Sequence, residues 1–238
     1  MCDWHGIVCD DGNEENLVVR QILLNNNTLD GTLPSEVGLL KKLQSLDLSK
    51  NSINGALPTE VGQMTSLQQL WLSYNVLEGS IPSEIGKMSS LEVFGLTHTN
   101  YRLSGSIPSE IGVLSGLRDL YFAYNDISGT LPSELGQLMK LERIWASFNR
   151  LDGQIPEQLG SLRDIKVLSF HGNHLSGIIP SELGRLKQMK ELYLSVNNFA
   201  GVSMPDEVCA LREMWKLEQL WADCNSLMEC SCCNRCFL

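Results

Sequence analysis

The most reactive side chains in this sequence are eight cysteines, which cluster at the two ends of the chain. Two of them, Cys2 and Cys9, lie at the N-terminus. The other six lie near the C-terminus and are Cys209, Cys224, Cys230, Cys232, Cys233 and Cys236. Thiols at this density form either disulfides or a thiolate metal cluster. We favour disulfides in an oxidising compartment, and six cysteines allow 15 connectivities, among which the sequence does not choose.

Other residue patterns that carry out catalysis or bind metals are not found. His171 and His174 resemble a metal-binding pair, but no third ligand lies at a suitable spacing. The sequence has no G-x-S-x-G motif, no phosphate-binding loop and no H-E-x-x-H motif. It therefore predicts a protein that is not an enzyme and needs no metal or cofactor.

Most of the chain is organised by a repeat of 24 residues, which occurs eight times over 19–216. The repeat reads L-x-x-L-x-L-x-x-N-x-L-x-G-x-[IL]-P-x-x-[LIV]-G, and a ninth, incomplete copy opens at Leu217. The copies begin at Val19, Leu43, Leu67, Leu91, Leu117, Leu141, Ile165 and Met189. This spacing predicts a right-handed α/β solenoid, with nine short parallel strands on the concave face and 3-10 or helical turns on the convex face. Residues 1–18 would form an N-terminal cap, and residues 217–238 a terminal strand and a cysteine-rich cap.

Each repeat is expected to leave its strand at an asparagine, whose carboxamide can bond the backbones of neighbouring turns. These ladder residues are Asn27, Asn51, Asn75, Asn125, Asn149, Asn173, Asn197 and Asn225. The fourth repeat is two residues longer and bulges over 96–103, where Asn100 is the expected ladder residue. Triplets of proline, serine or threonine, and glutamate follow in most repeats, and we expect their hydroxyl groups to cap the turns that begin there.

Two outward-facing columns of the predicted sheet are rich in aromatic residues. One column lies between the two core leucines of each strand, and the other lies three residues later. The predicted ligand-binding residues are Trp71, Tyr74, His98, Tyr121, Tyr124, Trp145 and Phe148, together with Tyr101 in the insertion and Tyr193 further along the first column. Clustered exposed aromatics often mark interaction sites. The alternative is that those before the asparagine are repeat consensus and only cover the turn.

Charge and hydropathy exclude several classes of partner. The net charge of −10 argues against nucleic-acid binding, which requires a basic surface. No apolar run reaches the length of a membrane span, so no membrane insertion is expected. Arg118, Asp119, Glu142 and Arg143 on the strand face are expected to pair with one another. Asn26 opens the sequence's N-x-[ST] sequon and is a predicted glycosylation site.

The end motifs resemble those of plant-type leucine-rich-repeat proteins. Residues 2–9 have the form C-x-W-x-G-[IV]-x-C, and the L-x-G-x-[IL]-P segment is the plant-type form of the repeat. The resemblance implies that Cys2 pairs with Cys9 and that Trp4 packs over the first core layer. The family's cap usually has helices before this motif, and the sequence lacks a signal sequence, so we expect a fragment of a longer chain. The cysteine-rich ending resembles leucine-rich-repeat proteins of unicellular algae.

Members of this family include receptor-like kinase ectodomains, receptor-like proteins and secreted inhibitors of wall-degrading glycosidases. The resemblance implies a non-catalytic, extracellular recognition module that binds a protein, peptide or glycan, with a coreceptor as a further candidate partner. We expect a receptor-type ectodomain. The alternative is a complete secreted protein that inhibits a wall-degrading hydrolase or serves in the matrix.

Overall fold

The computed structural model describes residues 4–10, 18–199, 202–215, 217–223 and 228–237. Within these residues the chain forms a right-handed solenoid whose concave face is a sheet of eleven short strands. In spatial order they are β1 (Ile7–Cys9), β2 (Val19–Leu23), β4 (Ser45–Asp47), β6 (Gln69–Trp71), β8 (Val93–Gly95), β10 (Asp119–Tyr121), β12 (Arg143–Trp145), β14 (Val167–Ser169), β15 (Glu191–Tyr193), β17 (Gln219–Asp223) and β19 (Arg235–Phe237).

The predicted count of nine parallel strands was too low, because both caps extend the sheet. β1 pairs antiparallel with β2, and β19 pairs parallel with β17. The expected packing of Trp4 is also wrong, since its side chain is 79% exposed. Trp4 begins the turn into β1, where its carbonyl oxygen accepts a hydrogen bond from the Ile7 amide.

The leucines of each strand explain the core. Residues two apart on a strand face the same side, so pairs such as Leu70 and Leu72 point inward and are fully buried. Together with the buried Val, Ile and Leu residues of the convex turns they form one continuous core. Each layer therefore packs only on its neighbours, as expected for a solenoid.

A second set of strands, which the repeat pattern did not predict, lies where each turn leaves the concave face. It comprises β3 (Asp30–Thr32), β5 (Ser52–Ala56), β7 (Val76–Ser80) and β9 (Leu103–Ser104) in one sheet, β11 (Ser128–Thr130) with β13 (Arg150–Asp152) in another, and β16 (Val202–Ser203) with β18 (Met228–Glu229). These strands cover the L-x-G-x segment of most repeats. Their extended backbone leads the chain to the convex side.

The convex side is built from 3-10 turns in most repeats. They span Ser35–Leu39, Thr59–Gln63, Ser83–Lys87, Ser109–Val113, Ser133–Gln137, Glu157–Ser161 and Ser181–Arg185. The expected hydroxyl caps are absent from these turns, because proline occupies each N-cap position. In the triplets the hydroxyl instead donates to the next glutamate, as from Ser133 to Glu134 at 3.2 Å. The eighth repeat is longer and has a helix, α1 (Asp206–Met214), in place of the 3-10 turn.

The ladder prediction is confirmed for six asparagines whose carboxamides bond the backbone of the preceding turn: Asn51, Asn75, Asn125, Asn149, Asn173 and Asn197. The exposed Asn27 donates only to the Asn25 carbonyl oxygen of its own turn, and the prediction for the fourth repeat is wrong. Thr99, rather than Asn100, is buried at the ladder position, where its amide and hydroxyl donate to Asn125 Oδ1 at 3.0 and 2.5 Å. The two inserted residues, Asn100 and Tyr101, follow it with positive φ and exposed side chains. Asn225 lies outside the described residues, and the Asp223 carboxylate accepts hydrogen bonds from the amides of Val196 and Asn197.

Candidate functional site

The first aromatic column follows directly from strand register. Adjacent strands pair Trp71 with Gly95, Gly95 with Tyr121, and Tyr121 with Trp145, and the same row continues through Ser169 and Tyr193 to Trp221. Because the residues on either side of this row point into the core, these side chains lie on the concave face. Trp221 occupies this row although it was not among the predicted binding residues.

Gly95 is the gap in that column and decides how Trp71 lies. A Cβ atom on Gly95 would be only 2.4 Å from Trp71 Cε3, so the indole occupies the space that a side chain would need. Trp71 consequently reaches Tyr121 two strands away, and their rings stack with centroids 5.5 Å apart. A glycine in the fourth repeat thus joins two aromatic residues that the sequence places 50 positions apart.

The second column is a continuous stack of four rings. Tyr74, His98, Tyr124 and Phe148 stack in that order, with centroid distances of 4.6, 4.1 and 4.5 Å. All four have φ between 55° and 60°, as the chain turns off the strand just before the ladder residue. The same position recurs in every repeat, so their parallel alignment is a consequence of the solenoid. Since these rings cover one another's faces, they present mainly their edges to solvent.

A groove runs between the two columns, along the axis of the solenoid. Its floor is formed by small side chains two residues after the first column, including Ser73, Thr97, Ala123 and Ser147. The N-terminal half has a volume of about 480 Å³ and is lined by Ser49, Lys50, Trp71, Ser73, Tyr74, Thr97, His98, Tyr121, Ala123, Tyr124 and Trp145. The C-terminal half has a volume of about 220 Å³ and is lined by Ala123, Tyr124, Trp145, Ser147, Phe148, Ser169, His171, Tyr193 and Trp221. Ala123, Tyr124 and Trp145 belong to both halves, so the groove is continuous.

The groove brings together eight of the nine predicted binding residues. The ninth, Tyr101, lies in the insertion with 59% of its side chain exposed and is not among the groove-lining residues. Sequence reasoning missed the small residues of the floor, together with His171 and Trp221. The small residues recur with the period of the repeat, and this recurrence could have identified the floor of the groove from the sequence.

Charged residues lie beside the groove and pair as expected. Arg143 Nη1 lies 2.7 Å from Asp119 Oδ1, and Arg118 Nη1 lies 3.3 Å from Glu142 Oε1. Lys166 also pairs with Glu142, and its hydrogen bond is the main cause that lowers the pKa of this carboxyl group. These ion pairs leave the groove itself lined mainly by uncharged groups.

Burial shifts the titratable groups inside the groove. Desolvation lowers the pKa of both His98 and His171, which favours neutral imidazole rings. Among the described residues His98 Nδ1 is buried without a hydrogen-bond partner. Burial, followed by the hydrogen bond to Glu191, raises the pKa of Tyr193 to about 12. A ligand in the groove therefore meets neutral rings.

His171 and His174 do not form a metal-binding pair. The His171 ring lies on the concave face with Nδ1 2.7 Å from Ser195 Oγ, whereas His174 is exposed after the ladder residue. Within the described part of the chain, no three or more His, Cys, Asp or Glu side chains are grouped as metal ligands.

The C-terminal cysteines form disulfides that close the last layer. Cys209 of α1 pairs with Cys232, and Cys230 pairs with Cys233. Cys9 is also disulfide-bonded, whereas Cys2 and Cys224 lie outside the described residues and the side chain of Cys236 is not described. No helix in the described ranges is long and apolar enough to span a membrane.

Comparison with known proteins agrees with this architecture. The model of the leucine-rich repeat region family matches residues 15–104, and the leucine-rich repeat model matches 116–138, 140–162 and 164–186. The chain belongs to the leucine-rich-repeat proteins and is of the plant type. The comparison with curated proteins gives no match.

Several solved structures share the fold. The ectodomain of the Arabidopsis thaliana receptor kinase GASSHO1/SCHENGEN3, in complex with CASPARIAN STRIP INTEGRITY FACTOR 2, is 32% identical with a TM-score of 0.84. The alignment covers 96% of this chain and 26% of that ectodomain. The Arabidopsis receptor kinase HAESA, with the peptide hormone IDA and the co-receptor SERK1, is 29% identical with a TM-score of 0.73, over 96% of this chain and 41% of that one.

A third similar structure has a different kind of ligand. A plant ice-binding protein is 25% identical with a TM-score of 0.69, and the alignment covers 96% of this chain and 78% of that protein. The chain thus spans about a quarter to two fifths of the two receptor structures, but most of the ice-binding protein.

Proposed function

We propose that this chain is an extracellular, non-catalytic recognition module that binds an extended polypeptide in the concave groove. The observation that supports this most directly is the continuity of the groove from β4 to β17 between two aromatic columns. Tyrosine and tryptophan are the residues most enriched among binding hot spots. The ectodomain of HAESA, which has the same fold, was solved in complex with the peptide hormone IDA, which also supports a peptide or protein partner.

The dimensions of the groove suit a polypeptide chain. It crosses eight neighbouring strands, and at about 4.8 Å per strand this is roughly 34 Å. An extended chain advances about 3.3 Å per residue, so about ten residues would fill the groove.

A glycan is less well suited to the N-terminal half of this groove. Sugar recognition by aromatic residues uses exposed ring faces. Stacking at centroid distances of 4.1–4.6 Å covers both faces of His98 and Tyr124 and one face each of Tyr74 and Phe148, which leaves no room for a sugar between the rings. The same proposal places the chain outside the cell, either as a secreted protein or as the ectodomain of a membrane receptor, and includes glycosylation of Asn26. The Asn26 side chain is exposed, and the disulfides fit an oxidising compartment.

The test uses ten-residue peptides selected from a random display library on the wild-type chain. We expect the double variant Trp71→Ala and Trp145→Ala to lose at least about tenfold in affinity for them, because both indoles line the groove. The matched control is Trp215→Ala, which removes an exposed tryptophan that contacts Lys187 outside the groove. Peptides that bind the folded double variant as tightly as the wild type would move the site elsewhere.

A second candidate function is ice binding, and one surface favours it. The side chains just after the conserved glycine of each L-x-G-x segment are small and exposed in five consecutive repeats: Thr32, Ala56, Ser80, Ser106 and Thr130. Three of them, with Ser83, Ser109 and Ser133, line a hydroxyl-rich trough of about 720 Å³. Regularly spaced hydroxyl and methyl groups on such a surface are suited to contact an ordered water lattice, and a plant ice-binding protein shares this fold.

The two candidates separate experimentally because they use different faces. If ice binding is the function, the wild-type chain should show thermal hysteresis, and Ser106→Lys should abolish it while Trp71→Ala does not. Absence of thermal hysteresis in the folded wild-type chain would exclude this candidate and leave peptide binding unaffected.

A further inference from the structure

The C-terminal half of the groove differs from the N-terminal half in how its rings are oriented. Tyr193 and Trp221 meet at 75° with centroids 4.7 Å apart. His171 lies at 85° to Trp221 and at 84° to Phe148. These rings stand as walls at right angles, whereas the N-terminal rings lie parallel. We call the space that these rings line, and that Trp145 also lines, the aromatic cage.

The polar groups of the cage are engaged in hydrogen bonds within the protein. The Trp221 indole N–H donates to Gln219 Oε1 at 3.1 Å, and the Tyr193 hydroxyl donates to Glu191 Oε2 at 3.0 Å. His171 Nδ1 and Ser195 Oγ share a hydrogen bond of 2.7 Å. On the floor, the hydroxyls of Ser147 and Ser169 are 2.5 Å apart. The cage therefore presents ring surface and offers few acceptors to a ligand.

The electrostatics of the cage favour a cation. Negative charge lies at two sides of it: Asp223 acts on His171 by its charge, and Glu191 accepts the hydrogen bond from Tyr193. A phenol that donates to a carboxylate has a more electron-rich ring, which strengthens its attraction for a cation. The nearby cations Arg143 and Lys166 are paired with Asp119 and Glu142. The chain as a whole carries a net charge of −10.

We propose that the aromatic cage binds a methylated ammonium group. Guanidinium and primary ammonium groups carry several N–H donors, which would remain unsatisfied against these walls. A trimethylammonium group has none, and its charge is spread over methyl groups that pack on ring faces. The space of about 220 Å³ is several times the ~30 Å³ that one water occupies in the liquid, so the cage can admit such a group.

The group can come from a free small molecule such as choline or from a trimethylated lysine of a polypeptide in the groove. The inference adds a ligand class to the groove described under the proposed function. Its test uses small cations and not peptides. The cation test can therefore fail while peptide binding is observed, and peptide binding can fail while cation binding is observed.

The experiment is a calorimetric titration of the full chain with choline and, separately, with a capped trimethyl-lysine amide. We expect saturable binding of at least one of them, and whichever binds more tightly identifies the source. The uncharged isostere of choline, in which carbon replaces the nitrogen, should bind at least about tenfold more weakly, because the attraction depends on charge. Equal binding of the isostere, or no binding of either cation, would overturn the proposal.

Variants of the cage residues test whether choline binds in the cage. Tyr193→Leu and Trp221→Leu should each reduce choline affinity about tenfold or more, whereas Tyr193→Phe, which keeps the ring and loses the link to Glu191, should reduce it less. Trp215→Leu, which removes an exposed ring outside the groove, is the matched control and should leave choline binding unchanged. Near-ultraviolet circular dichroism checks that each variant is folded. Choline binding that survives both leucine substitutions would show that the cation binds elsewhere.

Discussion

The buried asparagine ladder gives a stability prediction that can be worked out from individual hydrogen bonds. Asn149 is buried, and its Nδ2 donates to the carbonyl oxygens of Phe122 and Ala146 at 2.9 and 3.2 Å. Its Oδ1 accepts from the Ile127 amide at 3.0 Å. Asn149→Ala would therefore leave the buried Ile127 amide without its acceptor, whereas the carbonyl oxygens of Phe122 and Ala146 would each keep one bond, from Asn125 Nδ2 and Asn173 Nδ2.

A stranded buried polar group costs about 1–3 kcal/mol. The two carbonyl oxygens each lose one ordinary hydrogen bond, worth about 0.5–1.5 kcal/mol, so the total is roughly 2–6 kcal/mol. A water molecule can enter the polar space that the carboxamide vacates and restore part of the bonding. We therefore expect the free energy of unfolding to fall by about 2–4 kcal/mol, which is above the average cost of a single substitution. Asn27→Ala is the matched control, because Asn27 holds the same repeat position but is exposed and donates only to the Asn25 carbonyl oxygen at 3.2 Å. Asn27→Ala should change the free energy of unfolding by no more than about 0.5 kcal/mol.

Urea unfolding followed by far-ultraviolet circular dichroism measures both variants. Because repeat arrays can unfold in parts, amide hydrogen exchange should accompany it and show the loss of protection centred on the turns of residues 122–151. A cost below about 1 kcal/mol for Asn149→Ala, or equal costs for Asn149→Ala and Asn27→Ala, would refute the idea that buried carboxamides hold neighbouring turns together.

Two further predictions concern packing and pH. A Cβ atom at Gly136 would lie 2.4 Å from the Gln158 carbonyl oxygen, so Gly136→Ala should lower the free energy of unfolding by about 1–3 kcal/mol. The control is Gly116→Ala, because a Cβ atom there would lie 3.4 Å from its nearest neighbour. In the same urea titration this control should lower the free energy of unfolding clearly less. His171 faces Ser195, Tyr193 and Asp223, and burial lowers the pKa of its imidazole. Choline affinity should therefore be constant near neutral pH. It should weaken when the pH falls below that lowered pKa, because the imidazole then becomes a cation. His171→Gln should remove this pH dependence, and a steep loss of binding that persists in His171→Gln would contradict the assignment.

The sequence predicted the fold because its hydrophobic pattern repeats with a fixed period. Once Leu70 and Leu72 are assigned to the core, Trp71 must face outward, and the period carries this assignment from Asp47 to Trp221. The aromatic columns were predictable for the same reason. Most of the ladder was predictable too, and the error at Asn100 arose because Thr99 can form the same turn bonds and two added residues obscure the register.

What the sequence did not reveal depends on contacts between repeats. The groove needs small side chains on one row and large ones on the rows beside it, and no single repeat contains that contrast in full. The cage is built from Phe148, His171, Tyr193 and Trp221, which lie on four different turns, so its right-angled geometry cannot be seen along the chain. The eighth repeat departs from the period, which is why α1 and its disulfide to Cys232 were not anticipated.

The repeat also explains why one face holds two sites of different character. Where every repeat places a ring before the ladder residue, rings align in parallel and leave only their edges for a ligand, as in Tyr74, His98 and Tyr124. The stack ends at Phe148, because the next repeat has Gly172 at that position and its ring, His171, lies one residue earlier, just beyond β14. The His171 ring therefore lies nearly at a right angle to Phe148, and the cage begins there. A ligand long enough to fill the groove would therefore meet ring edges and hydrogen-bonding groups at one end and open ring faces at the other. Its direction of binding would then be set by which end carries the cationic group.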